Sequence, residues 1–146
     1  MELSRRFKNK TLFLDTAPII YFIEKNPRYN ELLKTIISLI DSKSAKGVTS
    51  TVTLLEVLVK PLRDGNKNLA EKYKTILLSA NGLLSIEITH EISIQAAGLR
   101  ALYNIRTPDS IQLAAAIVLK ADYFITNDHA LKQVKEIKTI LLDEML

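Results

Sequence analysis

The chain has no cysteine. Disulfides, zinc ribbons and thiol nucleophiles are thereby excluded, and the composition suits a reducing compartment. Glycine and proline are scarce, four of each in 146 residues. No Gly-rich phosphate loop follows the first apolar run, which disfavours nucleotide binding of the P-loop or Rossmann kind. No Gly-x-Ser-x-Gly elbow is present to serve a Ser/His/Asp hydrolase, and the two histidines, His90 and His129, read as helix-start residues. No apolar stretch is long enough to cross a bilayer. The charged opening MELSRRFKNK precedes no apolar segment of signal-peptide length. The expectation is a soluble cytoplasmic protein. Without a linker, an internal repeat or a shift in composition, residues 1–146 are expected to form one domain with a core of its own.

What is present is an ordinary globular mixture, 47% hydrophobic and 25% charged, with a formal net charge of +4 and a pI near 9.3. That balance is compatible with a polyanionic partner without identifying one. Arg5, Arg6, Lys8 and Lys10 crowd the first ten positions. They read as a solvated stretch ahead of the first strand, with nucleic-acid contact as the alternative.

Apolar patterning predicts alternating strands and helices. Thr11 to Asp15 is a short apolar run ending on an acid, as suits a strand buried on both faces. Pro18 fits the first turn of a helix through Ile23. A second helix is expected after Pro27, with Asn30 as its N-cap and Leu32, Leu33, Ile36, Ile37 and Ile40 as its apolar stripe. Gly47 introduces a strand at Val48-Thr49-Ser50. The next helix carries Leu54 to Val59 and is limited by Pro61. Leu69, Tyr73, Ile76, Leu77 and Ala80 mark another, closed by Asn81-Gly82. A strand over Leu83–Ile88 leads to Thr89, which caps a helix to about Tyr103. Thr107-Pro108 opens a helix to Leu119 that is apolar nearly all round and so should be the most buried. A strand over Asp122–Thr126, a short helix after Asn127-Asp128 and a strand over Thr139–Leu142 complete the chain. Tyr21, Phe22 and Tyr29 read as core aromatics, with partner contact as the alternative.

Strands alternating with helices predict a parallel sheet covered on both faces. In such sheets ligands bind beyond the carboxyl ends of the strands. Asp15 ends the first strand and Asp128 lies just past the fourth. Asp109 sits in the first turn of the most buried helix, and Glu56 in the helix directly after the second strand. All four are therefore expected at one edge. Taken singly, Asp109 can complement a helix dipole and Asp128 can cap a turn. Glu56 interrupts Leu54-Leu55 and Val57-Leu58-Val59, and it needs a partner or solvent to avoid a desolvation penalty of several kcal/mol. Asp15 faces the same difficulty.

Gathered together, such acids repel unless a cation neutralises them or one holds a proton. The donor set is all oxygen, which points to Mg²⁺ or Mn²⁺ rather than zinc or copper. A site of that kind activates water, polarises a phosphorus and stabilises a leaving oxygen. Two ions roughly 3.5–4 Å apart would cover both sides of an in-line displacement, and the number of ions is left open. A phosphodiester is its natural substrate. A phosphate-accepting receiver domain would need an acid pair after the first strand and an Asp ending the third, where this chain has Asp15 alone and Ile88-Thr89.

Four segments resemble PIN domains, especially the VapC-like toxins of toxin–antitoxin pairs. They are Leu12-Phe13-Leu14-Asp15-Thr16, Ser50 to Val57 around Glu56, Arg106 to Ala116 around Asp109, and Ala121 to Asp128. The resemblance runs from about residue 11 to the C-terminus with all four acids in order. It implies a three-layer α/β/α sandwich with a parallel five-stranded sheet of order 3-2-1-4-5. It also implies Mg²⁺- or Mn²⁺-dependent endoribonuclease activity, a VapB-like antitoxin partner and a homodimer. Asp15, Asp109 and Asp128 would be metal ligands, Glu56 a ligand or a holder of metal-bound water, and Thr16 and Thr126 hydroxyls supporting the acids. Arg106 reads either as a contact to the scissile phosphate or an antitoxin carboxylate, or as a plain surface residue. The chain departs from the commonest family opening at Ala17-Pro18, where Asn usually follows Asp-Thr. A PIN fold that binds nucleic acid or a partner without cleaving is the alternative, and a small-molecule phosphatase a more distant one. A non-cleaving relative would be expected to lack one or more of the acids, and all four are here.

Overall fold

The computed structural model describes residues 2–79 and 82–146. Five parallel strands, β1 (Thr11–Leu14), β2 (Lys46–Ser50), β3 (Leu83–Ile86), β4 (Tyr123–Thr126) and β5 (Thr139–Leu141), lie in the order β3-β2-β1-β4-β5. The helices are α1 (Glu2–Phe7), α2 (Thr16–Ile23), α3 (Asn30–Asp41), α4 (Thr51–Arg63), α5 (Lys67–Leu78), α6 (His90–Leu102) and α7 (Thr107–Val118). Two 3-10 turns, His129–Gln133 and Leu142–Met145, flank β5.

The two faces of the central strand explain the layers. Along β1 the side chains alternate, so Leu12 and Leu14 enter one core with Ile19, Leu33, Ile36, Ile40, Val57 and Tyr73 from α2 to α5. Phe13 enters the other, with Ile92, Ala96 and Leu99 of α6 and Leu113 to Ala116 of α7. Phe13 pairs in register with Phe124 of β4, their rings stacked at 5.5 Å. A strand buried on both faces needs a continuous apolar run, and this one has it. The fold is the three-layer α/β/α sandwich, with the strand order that the family resemblance implies. Helix α7 is buried along Leu113–Ala116, as its composition predicts. No helix among the described residues is long and apolar enough to cross a membrane.

Several boundaries differ from the expected ones. The N-terminal basic stretch begins as a helix, α1, anchored by the fully buried Phe7. Arg6 lies over the Tyr123 ring, 5.5 Å from its centre. Asn30 is the first residue of α3 rather than its cap, which is Tyr29 without a side-chain bond. Helix α4 continues past Pro61 to Arg63, so only its last turn contains the proline. Pro61 lacks the N–H that would bond to Val57 O, and its own carbonyl, one of the last in the helix, accepts from Asn66 N at 2.8 Å. Strand β3 stops at Ile86, and α5 ends at Leu78. Of the expected closure, Ala80 and Asn81 lie outside the described residues, whereas Gly82 has a φ of 130°.

One close approach sets the spacing of α3 above the sheet. A Cβ on Gly47 of β2 would stand 2.6 Å from Ile40 Cδ1 and 2.9 Å from Ile40 Cγ2, and Ile40 is buried. Gly47→Ala is expected to destabilise the fold by roughly 1–3 kcal/mol through overpacking. The measurement is the urea midpoint at an unchanged m-value; an undisturbed midpoint would show that the α3–β2 contact has slack.

Candidate active site

Parallel topology delivers the start of each following helix to the carboxyl edge of the sheet, and four acids arrive there. Asp15 follows β1 as the N-cap of α2. Glu56 lies in the second turn of α4, which begins directly after β2. Asp109 is the third residue of α7. Asp128 follows β4 by two residues and caps the 3-10 turn His129–Gln133. All four line one crevice of about 730 Å³, together with Thr16, Ala17, Arg106, Thr126, Asn127 and His129.

Each acid is tied to a protein donor. Asp15 Oδ1 accepts from Thr16 N at 2.9 Å and Oδ2 from the Thr126 hydroxyl at 2.8 Å. The Thr126 oxygen in turn accepts from Asp128 N at 3.2 Å, joining two of the acids through one side chain. Thr16 donates to Glu56 Oε1 at 2.6 Å, and Asp128 Oδ1 accepts from Ala130 N at 3.0 Å. Arg106 Nε donates to Asp109 Oδ2 at 3.1 Å. Asp109 thus complements the dipole of α7 and Asp128 caps a turn, so these local roles coexist with the shared crevice. The Thr16 and Thr126 hydroxyls bond to Glu56 and Asp15 respectively. Ala17 lines the crevice without a polar side-chain atom.

Sequence reasoning missed the neutral polar residues beneath the acids. Gln112, buried in α7, donates through Nε2 to Thr53 Oγ1 at 2.6 Å and stands 3.5 Å from Asp15 Oδ1. Its Oε1 accepts from the Ser50 hydroxyl. Thr49 links Leu14 O at 2.8 Å to Thr53 Oγ1 at 2.9 Å. The signal that flagged Glu56, a polar residue within an apolar helix, was equally present at Gln112.

Burial pushes the Asp15 carboxyl up from 3.8 to about 6. The bonds from Thr126 and Thr16 work against burial, and the nearby charges of Asp109 and Glu56 add to it. Arg106 is held more firmly in its charged form, first by the bond to Asp109, with the charges of Asp128 and Glu56 contributing. Among the described residues it is the only arginine or lysine lining the crevice. Its side chain is 76% exposed, so it balances the acids from the solvent side.

A hard divalent cation fits this donor set. The four acids offer only carboxylate oxygen, and Glu56 Oε2, Asp109 Oδ1 and Asp128 Oδ2 accept no hydrogen bond among the described residues. No three acids or histidines among those residues already form a metal-holding group. The acids share the crevice while each is turned to its own donor.

A family model described as PIN domain matches residues 12–137, a span that contains all four acids. The chain belongs to the PIN domain family. Solved structures agree on the fold of this PIN domain. A chain of VapBC2 from Rickettsia felis, bound to a DNA fragment from its promoter, is 18% identical at a TM-score of 0.74, covering 90% of this chain and 98% of that one. DNA-bound VapBC from Salmonella typhimurium is 19% identical at 0.69, covering 91% and 98%. VapC20 from Mycobacterium tuberculosis, a Sarcin-Ricin loop cleaving toxin, is 16% identical at 0.63, covering 77% and 86%. Comparison with curated protein sequences returns no match.

The raised Asp15 carboxyl makes a signed prediction for the metal-free PIN domain. Between about pH 4 and pH 6 the unfolded chain releases the Asp15 proton while the folded chain keeps it, so rising pH favours unfolding through this group. The unfolding free energy of Asp15→Asn should gain about 3 kcal/mol on wild type across that window. Urea titrations in chelator measure the difference, and a gap that does not vary with pH would show that Asp15 ionises alike in both states.

Proposed function

We propose that the chain is a VapC-like toxin, a single nuclease domain that hydrolyses RNA phosphodiester bonds with Mg²⁺ or Mn²⁺. The observation that carries this reading is that four carboxylates from four separate elements line one open crevice. Membership of the PIN family and structural likeness to chains of toxin–antitoxin complexes support it.

Asp15, Asp109 and Asp128 would hold the cation, with Glu56 as a further ligand or as an anchor for the attacking water. A divalent cation there supplies a Lewis acid for phosphate oxygens and lowers the pKa of water. Glu56, tethered to Thr16, orients the nucleophile. Thr126 keeps Asp15 and Asp128 in fixed relation, and Thr16 and Gln112 do the same for the floor of the site. Arg106, exposed and on a long side chain, turns from Asp109 to a non-bridging phosphate oxygen as RNA enters, because a guanidinium binds phosphate with paired donors. A crevice open to solvent suits a long substrate whose backbone crosses the sheet edge.

The reading includes a small antitoxin that covers the crevice and a homodimer in the cytoplasm. Exposed apolar side chains, Leu55, Val59 and Leu62 on α4 and Ile94 and Leu102 on α6, support association through these helices.

The test is cleavage of end-labelled RNA in Mg²⁺ or Mn²⁺ by wild type and by Asp109→Asn. The substitution keeps the side-chain shape and removes a ligand charge, so the rate should fall by about 100-fold or more, beyond the usual effect of losing a supporting residue. Equal cleavage by the two proteins would remove Asp109 from the mechanism. RNA bound but left intact by wild type with either metal would favour a non-cleaving module.

A further inference from the structure

Outside the donors already described, one hydrogen-bonded chain reaches the turn that carries Asp128. The Tyr29 phenol is buried, stacked on Tyr21 with ring centres 5.0 Å apart. It donates to Asp143 Oδ1 at 2.7 Å. That carboxylate oxygen can only accept, so the phenol proton is committed to Asp143. The same phenol oxygen lies 3.0 Å from Asn127 Nδ2 and must therefore act as acceptor there. This fixes the orientation of the Asn127 amide, whose Oδ1 is buried without a partner among the described residues. A tie kept despite that cost is the kind of local inconsistency that marks functional positions.

The connection brackets Asp128. On one side Asn127 is held by Tyr29, and on the other His129 Nε2 stands 3.7 Å from Asp143 Oδ2. From below, Thr126 Oγ1 receives Asp128 N. Asp143 belongs to the 3-10 turn after β5 and Tyr29 caps α3, so the three residues join elements far apart in the sequence. Arg28 approaches Asp143 Oδ1 only at 3.4 Å and is mostly exposed.

We propose that Tyr29, shared between Asp143 and Asn127, is a positioning residue that fixes the turn presenting Asp128 to the acid crevice. This rests on the reading of that crevice as a divalent-cation site. Tyr29 does not touch the reacting atoms. It acts by restricting where the Asp128 carboxylate points, as partners behind metal-binding side chains do in general. A purely structural tie between α3 and the C-terminal turn would stabilise the fold without altering the affinity for a cation.

The experiment measures Mn²⁺ binding by the intact chain, following free Mn²⁺ by electron paramagnetic resonance, for wild type, Tyr29→Phe, Asp143→Asn, Arg28→Ala and Asp15→Asn. Tyr29→Phe keeps the stacked ring and removes one oxygen. It should weaken Mn²⁺ binding roughly 10- to 100-fold while the protein remains folded by circular dichroism. Asp143→Asn leaves a neutral amide that can offer its oxygen or its NH2 to the phenol, so the phenol proton is no longer committed and the loss should be smaller but still above about threefold. Arg28→Ala should bind within about twofold of wild type, because the phenol–carboxylate bond survives. Should Tyr29→Phe unfold, the Asp143→Asn result decides alone. Wild-type affinity in Tyr29→Phe, or in Asp143→Asn if that variant must decide, with binding lost in Asp15→Asn, overturns the positioning role and leaves the cation site standing. Unchanged affinity in Asp15→Asn, or no binding by wild type, overturns both.

Discussion

A carboxylate almost out of water at the end of the central strand sets the terms for everything around it. Asp15 is 7% exposed and has Asp109 and Glu56 close enough to raise its pKa. An ionised carboxylate in such a place is costly unless it is hydrogen-bonded and paired. The surroundings supply the bonds in full: the first N–H of α2, the Thr126 hydroxyl and, at longer range, the Gln112 amide. They leave the charge pairing incomplete, since Arg106 engages Asp109 rather than Asp15. A site built for stability alone would place a basic residue against Asp15. The missing pairing is what the proposed cation would supply.

Topology also explains why net charge is a poor guide to the site. In a parallel sheet with crossover helices, helix N-termini gather at the carboxyl edge and helix C-termini at the opposite one. The helix dipole favours acids at the first and cations at the second. Lys43 and Lys120 follow α3 and α7 in left-handed conformations, φ 64° and 57°, and their N–H groups bond back to Ile40 O and Ile117 O. Lys8 and Asn9 close α1 at the same edge, with Asn9 also left-handed. The basic N-terminal stretch, Arg5 to Lys10, therefore lies at the amino edge, away from the acids. Helix-end chemistry accounts for part of the positive charge without any ligand.

The acids were legible in the sequence because charge is conspicuous where apolar residues surround it. Glu56 stands between Leu55 and Val57, and Asp15 ends an apolar strand, so burial without a partner could be rejected at once. Neutral polar residues give a weaker signal of the same kind, because burying them costs less than burying a charge. Gln112, Thr53 and Ser50 are tolerated in many contexts, and their roles emerge only when α4 and α7 meet above β2. The Tyr29–Asp143 bond spans 114 positions of sequence and leaves no periodic trace. Helix α1 escaped for a related reason: six residues are too few to be helical on local preference, and the burial of Phe7 holds them in place. Patterning located most strands and helices correctly and erred at their ends, where Pro61 and Asn30 were given more weight than tertiary contacts allowed.

Arg106 links the electrostatics of the crevice to the chemistry proposed for it. It is a single positive charge serving Asp109 directly and Glu56 and Asp128 at longer range, from an exposed position at the N-terminus of α7. A divalent ion among the acids would carry twice that charge and sit closer to Asp15, so it would weaken the hold of Asp109 on the guanidinium. Repulsion between the ion and Arg106 then favours the extended, solvent-facing positions of the side chain, which is where a phosphate chain would approach. Cation and substrate would thus act in the same direction on one residue: the first would loosen Arg106 from Asp109 and the second would give it a new anion. Only Arg106 of this pair is exposed, the Asp109 side chain being 12% exposed, so opening the pair leaves a near-buried carboxylate that a bound cation would have to neutralise. That asymmetry makes Arg106 better suited to exchanging partners than to holding the structure together.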